Sequence, residues 1–186
     1  MNSVRLDTFD PRRGLDRGRS RWVEGLWYFT KLFFFLTAFP WPSLLKVAFL
    51  RGFGARIGEG VYLRPRINVH FPWKLEVGDH CWIGEQCEIH NFERLVIESH
   101  VAIAHQVFLT TGSHDFTDPS MPYKHRPSRI GRGSWICSCV FVGPGVTVGE
   151  HCVVLPGSVV TRDIPEWSVA GGNPAVRIKP RVLRTQ

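Results

Sequence analysis

Residues 130–160 read IGRGSWICSCVFVGPGVTVGEHCVVLPGSVV, and an aliphatic residue returns at every sixth position: Ile130, Ile136, Val142, Val148, Val154 and Val160. Gly follows that residue at 131, 143 and 149, and four positions after it stands a small or β-branched residue, as at Val140, Val146, Cys152 and Ser158. A period of six is neither the 3.6 of a helix nor plain strand alternation. Six residues can make one short strand and one corner, so three hexads close a triangular coil. The aliphatic side chain then points into the prism, and the corner is expected to need Gly or a small residue for the chain to turn. Each coil hydrogen-bonds to the next, because a solenoid repeat cannot bury its faces alone.

The same beat runs through the preceding chain at Ile57, Leu63, Val69 and Leu75. After a shift of two it continues at Val77, Ile83, Ile89 and Leu95, and after another at Ile97, Ile103 and Leu109. So long a repeat predicts a mainly β chain, a left-handed parallel β-helix of hexapeptide repeats over residues 53–165. Cys81, Cys87 and Cys152 occupy the small-residue slot and are expected to be buried core thiols. An odd count of five cysteines speaks against a disulfide framework and for a reducing compartment. Cys137 and Cys139 form a pair without partners and are left unassigned, and no metal site is expected.

Outside the repeat, the composition shifts twice. Residues 1–21 are an Arg-rich arm, expected to be weakly ordered. Residues 22–52 form an apolar appendage, helical in its first half until Pro40 and Pro42 break it. The run from Leu26 to Phe39 contains Lys31 and would reach only ~21 Å as a helix, short of the roughly 30 Å of a bilayer core. It is expected either to pack on the domain or to lie in a membrane interface beside the basic arm. Its late start and the lack of a cleavage site after it disfavour a secretory signal. A C-terminal extension over 166–186 carries Arg177, Lys179, Arg181 and Arg184. The chain as a whole has 23 Lys and Arg against 16 Asp and Glu. That excess favours an anionic partner, but no nucleic-acid-binding motif is present, so nucleic acid is not expected.

The beat stops over 110–129, where a solenoid tolerates an insertion at a corner and commonly places function. This loop holds His114, Asp115, Asp118 and His125. A histidine beside a carboxylate suits general-base chemistry near neutral pH, since its unperturbed pKa is ~6.5.

Six stretches carry a family resemblance: FGARIG at 53–58, PWKLEVGD at 72–79, TGSHD at 111–115, PGVTVG at 144–149, GSVVT at 157–161 and GGNPA at 171–175. With these the chain resembles the hexapeptide-repeat acyltransferases, and within them the colanic-acid-biosynthesis type of sugar O-acetyltransferase. The likeness spans about Trp22 to Arg181. It implies an acetyl-coenzyme A-dependent O-acetyltransferase with His114 as the base, in homotrimers whose active sites lie between neighbouring prisms. It points to Asn91 and Asp115 for the sugar acceptor. For coenzyme A it points to Trp135, Ser138, Thr161, Arg162, Lys179 and Arg181, the last two meeting nucleotide phosphates. The acceptor is expected to be a sugar or a lipid-linked glycan, and the location cytoplasmic, with peripheral contact at the inner membrane face.

Two other readings use the same fold. A γ-class carbonic-anhydrase-like zinc protein is suggested by Ile89-His90 and by Ile103 to Gln106. Its third ligand would fall near Thr110, which cannot replace an imidazole. The other is a non-catalytic scaffold docked on a membrane.

Overall fold

In the computed structural model, which describes residues 3–184, the hexads become parallel strands two or three residues long. Residues 1, 2, 185 and 186, the ends of the expected arm and tail, lie outside the described residues. Three ladders form the faces of a prism. The first runs from Arg56–Ile57 through Leu75–Val77, Leu95–Ile97 and Ser128–Ile130 to Thr147–Val148. The second climbs from Tyr62–Leu63 to Val153–Val154 and closes with a hairpin of Ser168–Gly172 and Ala175–Pro180. The third runs from Asn68–Val69 through Glu88–His90, Phe108–Thr110 and Phe141–Val142 to Val159–Val160.

Register stacks the aliphatic positions: on the first face Ile57, Val77, Ile97, Ile130 and Val148 lie one above another. Each is buried, as are the small-slot residues, including the thiols of Cys81, Cys87 and Cys152. Burial pushes all three thiols above their usual pKa, so they act as apolar filling.

The corners correct one expectation. Left-handed backbone falls three residues after the aliphatic, at glycines such as Gly60 and Gly133 but equally at Arg66, His80, Gln86, His100, Gln106, Cys139 and His151. Most of those side chains are exposed, so corner size is not limiting there. The Gly that directly follows the aliphatic is limited by close approach instead. A Cβ on Gly84 would lie 2.5 Å from the carbonyl carbon of Ala104 in the next coil.

Two helices cap the base of the prism. Helix α1 (Arg21–Phe34) stops six residues before Pro40, and Phe35 turns into the core with 0% exposure. Helix α2 (Ser43–Gly52) starts directly after Pro42, whose fixed φ suits a helix entrance. Trp27, Phe35, Val47 and Leu50 join the prism core, and the Trp27 indole donates to the carbonyl of Val69. Lys46, 1% exposed, donates to the carbonyls of Leu63 and Arg64 and so caps the lowest coil. The appendage therefore packs on the domain. A stripe of Trp22, Leu26, Phe29 and Phe33 on the far side of α1 stays exposed. Among the described residues no helix is long and apolar enough to cross a membrane.

The arm is not a loose tail. From residue 5 to residue 18 it is laid along the inserted loop and the first coil. Trp73 and Lys74 pin it by donating to the carbonyls of Arg17 and Asp16.

Candidate active site

The inserted loop leaves the third face after Thr110 and rejoins the first at Ser128. It folds back on itself through backbone bonds from Lys124 to Ser113, from Asp115 to Pro122 and from Arg126 to Thr111. His114 and Tyr123 face each other as an isolated antiparallel bridge.

This hairpin fixes His114. Its Nδ1 lies 2.6 Å from the carbonyl oxygen of Met121. A carbonyl only accepts, so Nδ1 carries the proton and Nε2 keeps the lone pair. Met121 holds that carbonyl from a left-handed backbone, φ 46°, a conformation costing a non-glycine residue roughly 1–3 kcal/mol. The His114 side chain is exposed, and its ring rests on Tyr123 at 4.9 Å and Phe9 at 5.8 Å between centroids.

Phe9 belongs to the arm, which grips this loop from outside. The amide of Arg5 donates to the carbonyl of Pro119, Arg13 pairs with Asp118 at 3.6 Å, and Gly14 touches Tyr123. A Cβ on Gly14 would sit 2.3 Å from the Tyr123 carbonyl oxygen, and its φ is +83°, so only Gly allows this approach.

Asp115 does not orient His114. Its carboxylate accepts from the hydroxyl and amide of Thr117 and pairs with Lys124 at 3.2 Å. Those bonds, led by the Thr117 hydroxyl, hold its pKa down at about 2. It is a carboxylate at any working pH, braced within the loop.

Asn91 is corrected more sharply. Its side chain has 0% exposure, its Oδ1 accepts the Phe71 amide at 3.0 Å, and its Nδ2 donates to the Phe71 carbonyl at 2.6 Å. With the amide committed to backbone, Asn91 is a clamp between neighbouring coils and no surface for a sugar. His90, one residue earlier, is the outward-facing group, 3.3 Å from Glu88.

From His114 a row of rings runs inward: Tyr123, His125, Phe92 and His70, with centroids 4.4–5.1 Å apart. Both nitrogens of His125 are buried without partners among the described residues. Burial lowers the pKa of His125, and lowers that of His70 to about 4, where Lys31 and other cations add to the effect. Sequence reading missed this row and the role of Met121. Its one available signal was the pair Pro119 and Pro122, which marks a tight turn at the loop tip.

The expected coenzyme residues divide between two places. Trp135 lies on the second face, half-exposed, with Ser138 at the corner after it and Lys179 in the closing hairpin. Arg181 turns its guanidinium to the carbonyls of Gly133 and Cys152. Thr161 and Arg162 are exposed beyond the last strand of the third face, on the corner that bears the loop. Within one protomer the two groups thus lie on different parts of the prism surface.

The zinc reading fares no better. His90 pairs in register with Thr110, so its neighbour on the next coil carries a hydroxyl and not an imidazole. Among the described residues no three His, Cys, Asp or Glu side chains are grouped to hold a metal ion.

A prism of hexapeptide coils with an oriented, exposed histidine on an inserted loop defines an acyltransferase of the hexapeptide class. The family model "Bacterial transferase hexapeptide (six repeats)" matches residues 127–162. The Escherichia coli (strain K12) protein WcaF, assigned as a colanic acid biosynthesis acetyltransferase, is 36% identical over 181 residues, covering 95% of this chain and 97% of its own. Galactoside O-acetyltransferase of the same organism is 32% identical over 146 residues, 76% of this chain and 66% of its own. A hexapeptide-repeat acetyltransferase of Vibrio cholerae, solved with acetyl coenzyme A, superposes with a TM-score of 0.76 at 23% identity, over 85% of this chain and 86% of the other. The chain belongs to the hexapeptide-repeat acetyltransferases, in the WcaF-like branch.

Proposed function

We propose that this protein transfers the acetyl group of acetyl-coenzyme A to a sugar hydroxyl, in the assembly of an exopolysaccharide or another cell-surface glycan. The observation that carries the reading is the bond from His114 Nδ1 to the Met121 carbonyl, because it leaves Nε2 as a free base at an exposed position. The acceptor hydroxyl gives its proton to Nε2 as its oxygen attacks the thioester carbonyl. The tetrahedral adduct collapses with cleavage of the C–S bond, and His114 returns the proton to the departing thiolate. A hydroxyl is a poor nucleophile until a base takes its proton, so this one side chain supplies about 10²–10⁴ in rate.

The division of the coenzyme residues between two places supports a homotrimer. A groove between two prisms can join the loop corner of one copy to the second face of the next, which exposes Tyr62, Trp82 and Trp135. The exposed stripe on α1 and the basic arm support peripheral contact with the inner membrane face, where a lipid-linked glycan would present its sugar.

Mixed protomers test the site and the groove together. His114→Ala should lose about 10²–10⁴ in acetyl transfer, and Trp135→Ala should lose coenzyme affinity. Co-expressed, the two should regain activity at interfaces that draw an intact His114 and an intact Trp135 from different copies. Full activity in His114→Ala alone removes the base. Absence of complementation removes the shared groove.

A further inference from the structure

Between α1 and the lowest coil lies a cleft of about 400 Å³, within the size range of small-molecule sites. Its walls include Arg21, Glu24, Tyr28, Lys31, His70 and Trp73. Two of its polar groups are left over. Lys31 is 8% exposed, and among the described residues its ammonium has neither a hydrogen-bond acceptor nor an ion pair within 4 Å; it lies 5.8 Å from the Tyr28 ring and feels the Glu88 carboxylate only at longer range. Burial lowers its pKa. Glu24 pairs with Arg17 through one oxygen, while its Oε1 is buried without a partner among the described residues.

Lys46, the other buried lysine, shows what a structural role looks like, for its ammonium is spent on two carbonyls. A lysine this buried whose ammonium makes no such bond is costly, and folding alone gives no reason to keep it. The leftover groups complement each other: Lys31 offers donors, Glu24 an acceptor, and Tyr28 and Trp73 apolar ring faces. With Arg17 and Arg21 against Glu24, the cleft carries net positive charge. His70, its inner wall, is also the far end of the ring row that leads to His114.

We propose that this cleft binds a saccharide bearing an anionic group, a carboxylate or a phosphate, with Lys31 meeting the anion and Glu24 Oε1 accepting a sugar hydroxyl. This rests on the acetyl-transfer reading only for the sugar at His114 and the cleft ligand to be parts of one acceptor. The cleft then selects which glycan presents its hydroxyl, and Lys31 and Glu24 are specificity residues, not catalytic ones.

Ligand-observed NMR on the full-length protein tests it with three probes: methyl β-D-glucuronide, glucose 1-phosphate and methyl β-D-glucoside. At least one anionic probe should bind about tenfold or more tightly than the neutral glucoside, and which one does so separates carboxylate from phosphate. Lys31→Met, close in length and apolar, should abolish that preference while raising the melting temperature, because it removes an unpaired buried charge. Glu24→Gln should weaken all three probes. Equal affinity for anionic and neutral probes, no binding by any of them, or a Lys31→Met protein that keeps the preference overturns the proposal. Binding is read without turnover, so His114→Ala should bind as the parent does. Loss of transfer with binding intact in His114→Ala is the joint expectation; a His114→Ala protein that still transfers acetyl while binding the probe faults the catalytic reading, and a parent protein that transfers acetyl without binding any anionic probe faults the cleft.

Discussion

Replacing Asn91 by Ala separates a clamp from a substrate contact. In the structure the side chain is fully buried, and its amide closes a two-bond ring with the backbone of Phe71. The Phe71 carbonyl also accepts from the Lys74 amide, so removing Asn91 costs it one of two partners, about 0.5–1.5 kcal/mol. Among the described residues the Phe71 amide has no other acceptor, and Phe71 is 3% exposed; stranding that donor costs about 1–3 kcal/mol. Together the loss should be about 2–4 kcal/mol, which for a chain of this size lowers the melting temperature by about 5–15 °C. Scanning calorimetry at one fixed protomer concentration measures it, since assembly couples unfolding to concentration. Asn91→Asp sharpens the test. Its carboxylate would face the Phe71 carbonyl where Nδ2 now donates, so stability should fall at neutral pH and recover in part once acid restores an O–H donor. A protein with Asn91→Ala that melts within a degree of the parent, yet shows a tenfold higher KM for the acceptor, refutes the clamp.

Two further outcomes follow from burial and close approach. His70 is a base whose folded pKa, about 4, lies below its unfolded value of ~6.5. Between those limits the unfolded chain binds more protons. Stability should therefore rise from pH 4 to pH 6.5 by up to about 3 kcal/mol and then level off, and His70→Phe should flatten that part of the urea-denaturation profile. Gly84→Ala, whose Cβ would meet the Ala104 backbone at 2.5 Å, should cost about 1–3 kcal/mol or more. Gly157→Ala has open space but a φ of +68° and should cost only about 1–2 kcal/mol, and equal losses at the two sites would contradict the close-approach account.

Most of the prism was legible because its determinants repeat. Each inward aliphatic is set by its own hexad, and the register of Ile57, Val77, Ile97, Ile130 and Val148 follows once the beat is counted. The arm had no such period. Apart from the Arg17–Glu24 pair, it is held by single contacts to Pro119, Asp118, Tyr123, Trp73 and Lys74, partners at least fifty residues away in sequence, and an Arg-rich composition alone reads as solvated.

The candidate site shows why neighbours in sequence mislead. His114 and Asp115 are adjacent, and a histidine beside a carboxylate suggests an oriented base. In an extended segment, however, consecutive side chains point to opposite sides. The hairpin that bridges His114 to Tyr123 therefore sends Asp115 away to Thr117 and Lys124. The group that orients the imidazole must come from across the hairpin, and it is a main-chain carbonyl seven residues on, at Met121. No side-chain pattern reports a carbonyl. What decides the tautomer of His114 is the backbone turn at the loop tip, so the identity of Met121 should matter less to catalysis than the left-handed conformation that aims its oxygen.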